Sequence, residues 1–584
     1  MNKKEAIWQK IASYYLVFYH KSCIFVVPKK NTMAKVSFKS EPHKFLTLFP
    51  ENIFDKLDSN HPAKLVEMVV NQLDITDIIQ KYKGGGCSAY HPRTMIKIIF
   101  YSYLSNIYSC RKMAIAVKEN LPLMYLAGGT TPDFRTINDF RGKILKDSLQ
   151  KLFAEIVKLL VKEGYLSLDV QYIDGTKIES AANKYTFVWR GSVEKYKEKL
   201  EAKINKVLSD IEDSIQSDNQ EITKQELPKE INTKELKEKL AEINKRLKEP
   251  TKKQAKELEK LQNEHLPKLE KYEESLKIMG DRKSYSKTDT DATFMRMKDN
   301  HMKNGQLKPA YNAQISTENQ FITHVSIHQT PGDTNTLESH LDGFEKSYQK
   351  QSKEVCADAG YGSEENYEML KKKEIEAYVK YNYFHKEQKK KQKEDPFSVQ
   401  NMYYNLKEDY YVCPMGQKLS NVGKGKRTSS NGYESKVTYY QAQRCEGCPL
   451  RGLCHKAKGN RRIEVNYRLN HLKTEARTLL MSEKGRYHRS KRPIEVEAVF
   501  GQLKSNNKFN RFTHRGKEKV EMEFLLMAVG HNFRKLVSNK ATTTKKEAKI
   551  NENVVKTPQN ATFSFFLSCP ICLGTLKTIF FSQP

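Results

Sequence analysis

The stretch YIDGTKIESAANKYTFVWRGS (172–192) carries an apolar run into Asp174 and follows it at once with Gly175, Thr176 and Lys177. Asp-Gly is a frequent turn pair, so the aspartate can simply open a turn. It can also be one of several carboxylates gathered over the end of a sheet to hold a metal. Just upstream, LSLDVQYIDGTKI (166–178) sets Leu168, Val170, Tyr172 and Asp174 on one face under period-two alternation, which predicts a strand ending in a carboxylate. Further strand-like runs follow at KPAYNAQIST (308–317), QFITHVSIHQ (320–329) and KEVCADAG (353–360). The last of these delivers a second aspartate, Asp358, again followed by small residues.

Around these strands the text is helical. HPAKLVEMVVNQL (61–73), HPRTMIKIIFYSYLSNI (91–107) and RGKILKDSLQKLFAEIVKLLVKEG (141–164) repeat apolar residues every three or four positions. Pro62 and Pro92 stand where a first turn tolerates proline. With Arg111, Lys112, Arg135 and Arg141 between them, residues 46–165 read as a small basic helical domain, either a DNA binder or an ordinary bundle. Residues 193–277 predict three charged amphipathic helices broken at Pro228 and Pro250, an insertion without chemistry of its own. Residues 1–45 read as a weakly constrained extension, with Met33 as an alternative start, and residues 541–584 as a basic, disordered tail.

The 584 residues require several cores. A net charge of +31 favours a polyanionic partner, and of the two candidates nucleic acid is preferred to membrane. The most apolar N-terminal stretch (11–27) is broken by His20 and Lys21, so no spanning helix is expected.

Two constellations could carry chemistry. Cys413, Cys445, Cys448 and Cys454, spaced C-x31-C-x2-C-x5-C within residues 383–470, predict one closed structural Zn²⁺ site, with His455 as a possible substitute ligand. Asp174 and Asp358, joined by a glutamate on the helix expected from Pro493, give the hard oxygen set of a two-Mg²⁺ phosphoryl-transfer site, where Mn²⁺ would substitute. PIEVEAVF (493–500) offers Glu495 and Glu497, about 200° apart on a helix. Val496, Val499, Phe500 and Leu503 form the apolar stripe, and Glu497, Gly501 and Lys504 the stripe beside it. That register selects Glu497, sets Lys504 toward a phosphate, and leaves Glu495 as a helix-start charge. Gly501 predicts either room for a phosphate or a plain packing contact.

YIDGTKIESAANKYTFVW (172–189), KPAYNAQISTENQFITHVSI (308–327), ADAGYGSEENY (357–367) and IEVEAVFGQLKSNNKFNRFTHRG (494–516) together resemble the DDE transposases of bacterial insertion sequences, over roughly residues 45–540. The resemblance implies an α/β multidomain chain. An RNase H-like core would be split over 166–192, 278–382 and 471–540, with a helical N-terminal DNA-binding domain, a helical insertion and a small zinc-binding β insertion. It implies the triad Asp174, Asp358 and Glu497, with Lys504, Arg511, Arg135 and Arg141 on DNA. The implied reaction is Mg²⁺-dependent cleavage at terminal inverted repeats and strand transfer into target DNA, by a homodimer in the cytoplasm at the nucleoid. A related branch carries Tyr and Arg seven and four residues before the glutamate. Here Ser490 and Pro493 stand there, with Tyr487 and Arg492 out of register, which puts a hairpin intermediate in doubt. A catalytically silent DNA-binding regulator and a zinc-ribbon RNA-binding protein are the alternatives.

Overall fold

Residues 57–82, 88–218, 231–246, 252–297, 305–429 and 431–555 are described by the computed structural model. The extension over 1–45, the start at Met33 and everything past 555 lie outside them.

The centre is a mixed sheet. Strand β1 (Val170–Glu179) lies between β2 (Leu307–Glu318), which runs antiparallel to it, and β4 (Glu354–Ala357), which runs parallel. Strand β3 (Phe321–His328) pairs antiparallel with β2, and β5 (Glu376–Val379) pairs parallel with β4, giving the order β3-β2-β1-β4-β5. A short strand, Thr293–Arg296, also pairs with the start of β2. The β2–β3 turn is made by Asn319 and Gln320, both at positive φ, as a two-residue hairpin requires.

Both faces of this sheet are covered, so a clean in–out alternation does not hold. Gln171, Tyr172 and Ile173 are buried in succession, as are residues from Pro309 to Glu318 on β2. On one face Tyr172 Oη lies 3.0 Å from His488 Nδ1 of the helix Glu483–Arg492. On the other, His340 of the helix Leu337–Tyr348 meets Ser316 at 2.8 Å and Ser326 at 2.7 Å.

Burial holds His324 down to about 3 and His531 to about 4, and His340 well below the usual imidazole range. All three are therefore neutral in the native protein. The unfolded chain takes up their protons near pH 6.5, so stability is lost as pH falls from there toward 4. Each contributes up to about 1.4 kcal/mol per pH unit across its window. Urea unfolding should show a midpoint that drops steeply between about pH 7 and 5. A flat profile would mean that these imidazoles are charged in the native state.

The N-terminal helices Pro62–Gln72 and Pro92–Leu104 each start at a His-Pro pair, and the histidine caps them. Nδ1 of His61 accepts from Ala63 N at 3.1 Å, and Nδ1 of His91 from Arg93 N at 3.2 Å. These helices do not enclose a core of their own. Their apolar faces join one continuous cluster with the sheet and with the long helix Lys517–Val555. Phe100 and Phe533 lie ring to ring at 6.2 Å. A Cβ on Gly530 would come within 2.8 Å of Tyr103 backbone, so glycine sets how closely the two helices approach. The same long helix corrects the tail: backbone expected to be disordered from 541 is helical to Val555.

The two insertions carry separate cores. Helices Arg190–Asp218, Thr233–Arg246 and Lys252–Met279 (the last through a π turn at Leu261–His265) bury Leu200, Ile204, Ile211, Leu236, Leu240 and Ile243 among themselves. Residues 403–465 form a five-stranded antiparallel sheet, closed around Leu419, Tyr440, Ile463 and Val465.

Candidate active site

The parallel register pairs Ile173 with Ala357, so the next residue on each strand is an aspartate. That brings Asp174 and Asp358 side by side where β4 leaves β1. Asp358 stands at the end of β4 as the sequence predicts, and opens a 3₁₀ turn, Ala359–Tyr361. Asp174 does not end its strand. β1 continues to Glu179 along β2, and Asp-Gly forms no turn here. Gly175 is a glycine because a Cβ would lie 2.1 Å from Gln314 Nε2.

Glu497 is linked to Asp174 through Arg492. The guanidinium, 4% exposed, meets Asp174 Oδ2 through Nη2 at 3.1 Å and Glu497 Oε1 through Nη1 at 2.8 Å. Glu497 stands five positions after Arg492, one too many for neighbours on an α-helix. The turn between them, Pro493–Glu497, is π-helical, and its extra residue per turn brings the two side chains toward one face. Pro493 therefore does not begin a helix. It follows directly on Glu483–Arg492, and the proline and the π turn sit together inside a longer helical run. Tyr487, by contrast, is 55% exposed, with Lys491 over its ring.

Glu495 is not a helix-start charge. It is 4% exposed, and its Oε2 accepts from Gln320 N at 2.6 Å, the amide that the β2–β3 turn leaves outside the ladder. Burial raises its carboxyl above the ordinary range, opposed by that amide. Of the two, Glu497 is the one that shares Arg492 with Asp174, and Glu495 has the structural role just described. Gly501 has nothing within 4 Å of an added Cβ, so it makes no packing contact.

The electrostatics follow from burial. Desolvation pushes Asp174 up to about 6, and Asp358 and Asp333 add to it, against the pull of Arg492. Asp333 carries no sequence motif and was not expected here; nothing short of the strand pairing brings it in.

The residues expected on DNA divide. Arg135 is exposed and, with exposed Arg111, flanks the Phe134 ring at 5.6 and 5.0 Å. Lys504 is partly exposed in a further π turn, Gln502–Asn506. Arg511 is half exposed, and its guanidinium donates to Ser180 O and Ala182 O, both at 3.0 Å, holding the loop after β1. Arg141 is 5% exposed and reaches Tyr103 Oη, Tyr108 O and His514 inside the helical region, so it presents no charge at the surface.

Cys413, Cys445, Cys448 and Cys454 line one pocket with His455 and Arg461, all four as free thiols. Arg461 donates to Cys445 Sγ from its backbone N (3.3 Å) and to Cys454 Sγ from Nη1 (2.9 Å). Among the described residues no three His, Cys, Asp or Glu side chains are drawn together tightly enough to hold a metal ion, here or at the carboxylates. At both places an arginine donates to the candidate ligand atoms instead. Among those residues, too, no helix is long and apolar enough to cross a membrane.

Two family models match the chain. Residues 412–537, which include the cysteines and Glu497, match the transposase DDE domain, and residues 51–143 match a transposase domain (DUF772). No curated protein and no solved structure matches.

Proposed function

We propose that this chain, which belongs with the DDE transposases of insertion sequences, cuts DNA at the ends of its element and joins them to target DNA, using Asp174, Asp358 and Glu497. The observation that carries the reading is the pairing of Ile173 with Ala357, which sets two aspartates side by side, with Glu497 linked to the first through Arg492. The strand order β3-β2-β1-β4-β5, with β1, β4 and β5 parallel, supports an RNase H-like core.

The donor set fits divalent magnesium: its oxygens are hard, and Asp174, raised to about 6 by burial and by neighbouring aspartates, gains from a nearby cation. Asp174, Asp358 and Glu497 would hold the ions. Bound there, the metal stabilises the attacking and leaving oxygens at phosphorus. The protein's part is to orient the carboxylates, through the sheet for two and the π turn for the third. The exposed Arg111–Phe134–Arg135 face offers phosphate contacts, Lys504 adds one beside Glu497, and two chains would bring paired ends together.

Cleavage of a supercoiled plasmid carrying the terminal repeats, in Mg²⁺, tests this reading. Wild type should nick it and Glu497→Gln should not. Glu495→Gln should keep the chemistry and instead lose about 1–3 kcal/mol of stability, because the Gln320 amide loses a charged acceptor. Full cleavage by Glu497→Gln would remove the glutamate from the site. A silent DNA-binding regulator is the second reading, favoured by the way Arg492 already neutralises Asp174 and Glu497; wild type that binds the repeats without ever nicking them would establish it.

We assign one structural Zn²⁺ to Cys413, Cys445, Cys448 and Cys454, supported by their convergence on one pocket. Purified protein should contain about one zinc per chain. A Cys445→Ser, Cys448→Ser double mutant should lose it, and full zinc content in that mutant would move the ligands elsewhere.

A further inference from the structure

The helical insertion joins the core through a short two-stranded ribbon. Phe187–Trp189, just before the first insertion helix, pairs antiparallel with Ser284–Ser286, just after the last. The foot of this ribbon is tied to the core. Asp289 accepts from Ser180 Oγ at 2.5 Å and from Gly516 N at 3.1 Å, and Arg511 holds Ala182 O.

On that frame aromatic rings are left in water. Phe187 and Trp189, two apart on one strand, have ring centroids 6.2 Å apart, and Phe294 packs against them at 6.1 and 5.8 Å. Phe294 is buried, yet Phe187 stays 49% exposed, Tyr185 73% and Tyr196, in the next helix, 56%. A cleft of about 490 Å³ opens where the ribbon meets helices Arg190–Asp218 and Leu266–Met279. Phe187, Trp189, Tyr196, Tyr272, Lys271 and Lys287 line it, with Glu274 also in its wall. Both lysines are exposed and form no ion pair among the described residues. Lys184 lies over the Tyr185 ring at 4.9 Å.

Clustered exposed rings mark a surface that something apolar covers. The unpaired lysines, in a chain of net charge +31, make that partner an anion. A nucleotide strand meets both demands, offering flat bases to the rings and phosphates to the lysines. In a duplex the base faces are already stacked on one another, so the strand must be unpaired.

We propose that this cleft binds an unpaired DNA strand, with bases stacked on Phe187, Trp189 and Tyr196 and phosphates on Lys271 and Lys287. The insertion, which by sequence offers no chemistry, thereby supplies part of a binding site. The choice of DNA rests on the DNA-cutting reading above, and the test separates the two. Trp189 is one of two tryptophans, so Trp8→Phe in the full-length chain leaves it as the single indole reporter. This protein is titrated in EDTA with a 20-nucleotide oligo(dT), with a blunt duplex of the same length and with oligo(rU). Oligo(dT) should quench the Trp189 emission to saturation, and the duplex should not. Phe187→Ala and Tyr196→Ala should each weaken oligo(dT) binding about tenfold. Lys271→Ala with Lys287→Ala should flatten the slope of log affinity against log salt by roughly 1.4. Equal quenching by the duplex, tighter binding of oligo(rU), or unchanged affinity in Tyr196→Ala would overturn the proposal. So would emission that changes with protein concentration alone and is abolished in Phe187→Ala, which would make the cleft a contact between two copies of the chain. Tyr196 is exposed on its helix, so its variant decides even if Phe187→Ala fails to fold. Because no cleavage occurs in EDTA, a chain that nicks plasmid without this quenching loses only the cleft. One that quenches but never nicks loses only the cutting.

Discussion

Asp174→Asn and Asp358→Asn should each lower Mg²⁺-dependent strand cleavage by about 10³-fold or more, the equivalent of several kcal/mol of lost charge stabilisation at phosphorus. Both replacements keep the shape of the side chain and remove its charge. Neither disturbs the Ile173–Ala357 pairing beneath it, so the two carboxamides should stay where the carboxylates were. Binding to terminal-repeat DNA should be nearly unchanged, since the proposed phosphate contacts lie on the exposed basic surface at Arg111 and Arg135. The comparison is made in one preparation, cleavage against binding. A mutant that cuts at near wild-type rate would remove that aspartate from the centre. One that loses binding and cleavage together would be reporting a folding defect.

Arg492→Ala should be the most damaging single change to the metal-free protein, by about 3–5 kcal/mol, because it leaves buried charge without its partner. Glu497 is 54% exposed and can turn to water, so the burden falls on Asp174, whose side chain is 22% exposed. The sign with pH follows. Burial already raises Asp174 to about 6, and losing the guanidinium raises it further. A carboxyl whose folded pKa is raised costs nothing below its unfolded value near 4 and costs progressively more as pH rises through the folded value. The deficit of Arg492→Ala should therefore be small near pH 4, grow through pH 6 and be largest above it. A divalent cation bound by the same carboxylates should restore much of the loss. Melting temperatures of mutant and wild type, with and without Mg²⁺ and across that pH range, give the readout. A mutant that melts like wild type at alkaline pH, or whose deficit ignores Mg²⁺, would mean that Arg492 does not act as the internal counter-ion.

Much of the placement of the candidate residues was legible because they sit on or beside regular elements. Asp174 and Asp358 follow apolar runs that can only be strands. Helix periodicity preferred Glu497 to Glu495 for the proposed site, and the reason offered for Glu495 failed. An isolated helix gave it a solvent-facing start, whereas the chain feeds it from the preceding helix into the amide of a hairpin 175 residues away in sequence. Arg492 was hidden for a related reason: spacing rules assume 3.6 residues per turn, and the π turn breaks that assumption at the place where it matters. Arg141 looked like a surface cation because sequence does not say which basic residue in a helical stretch faces inward. Asp333 was invisible, being one polar residue in a loop whose meaning depends on the pairing of strands on either side of it.

The contact between helix Pro92–Leu104 and helix Lys517–Val555 also sets a clock on synthesis. Phe100 and Tyr103 find their partners only after Gly530 and Phe533 have left the ribosome, more than 400 residues later. At roughly 5–20 residues per second that is about 20–90 s during which the N-terminal helices lack a completed core. A chain that stops before residue 530 would leave Phe100 and Tyr103 without these partners. The core of the N-terminal helices is therefore among the last parts of the described fold to close.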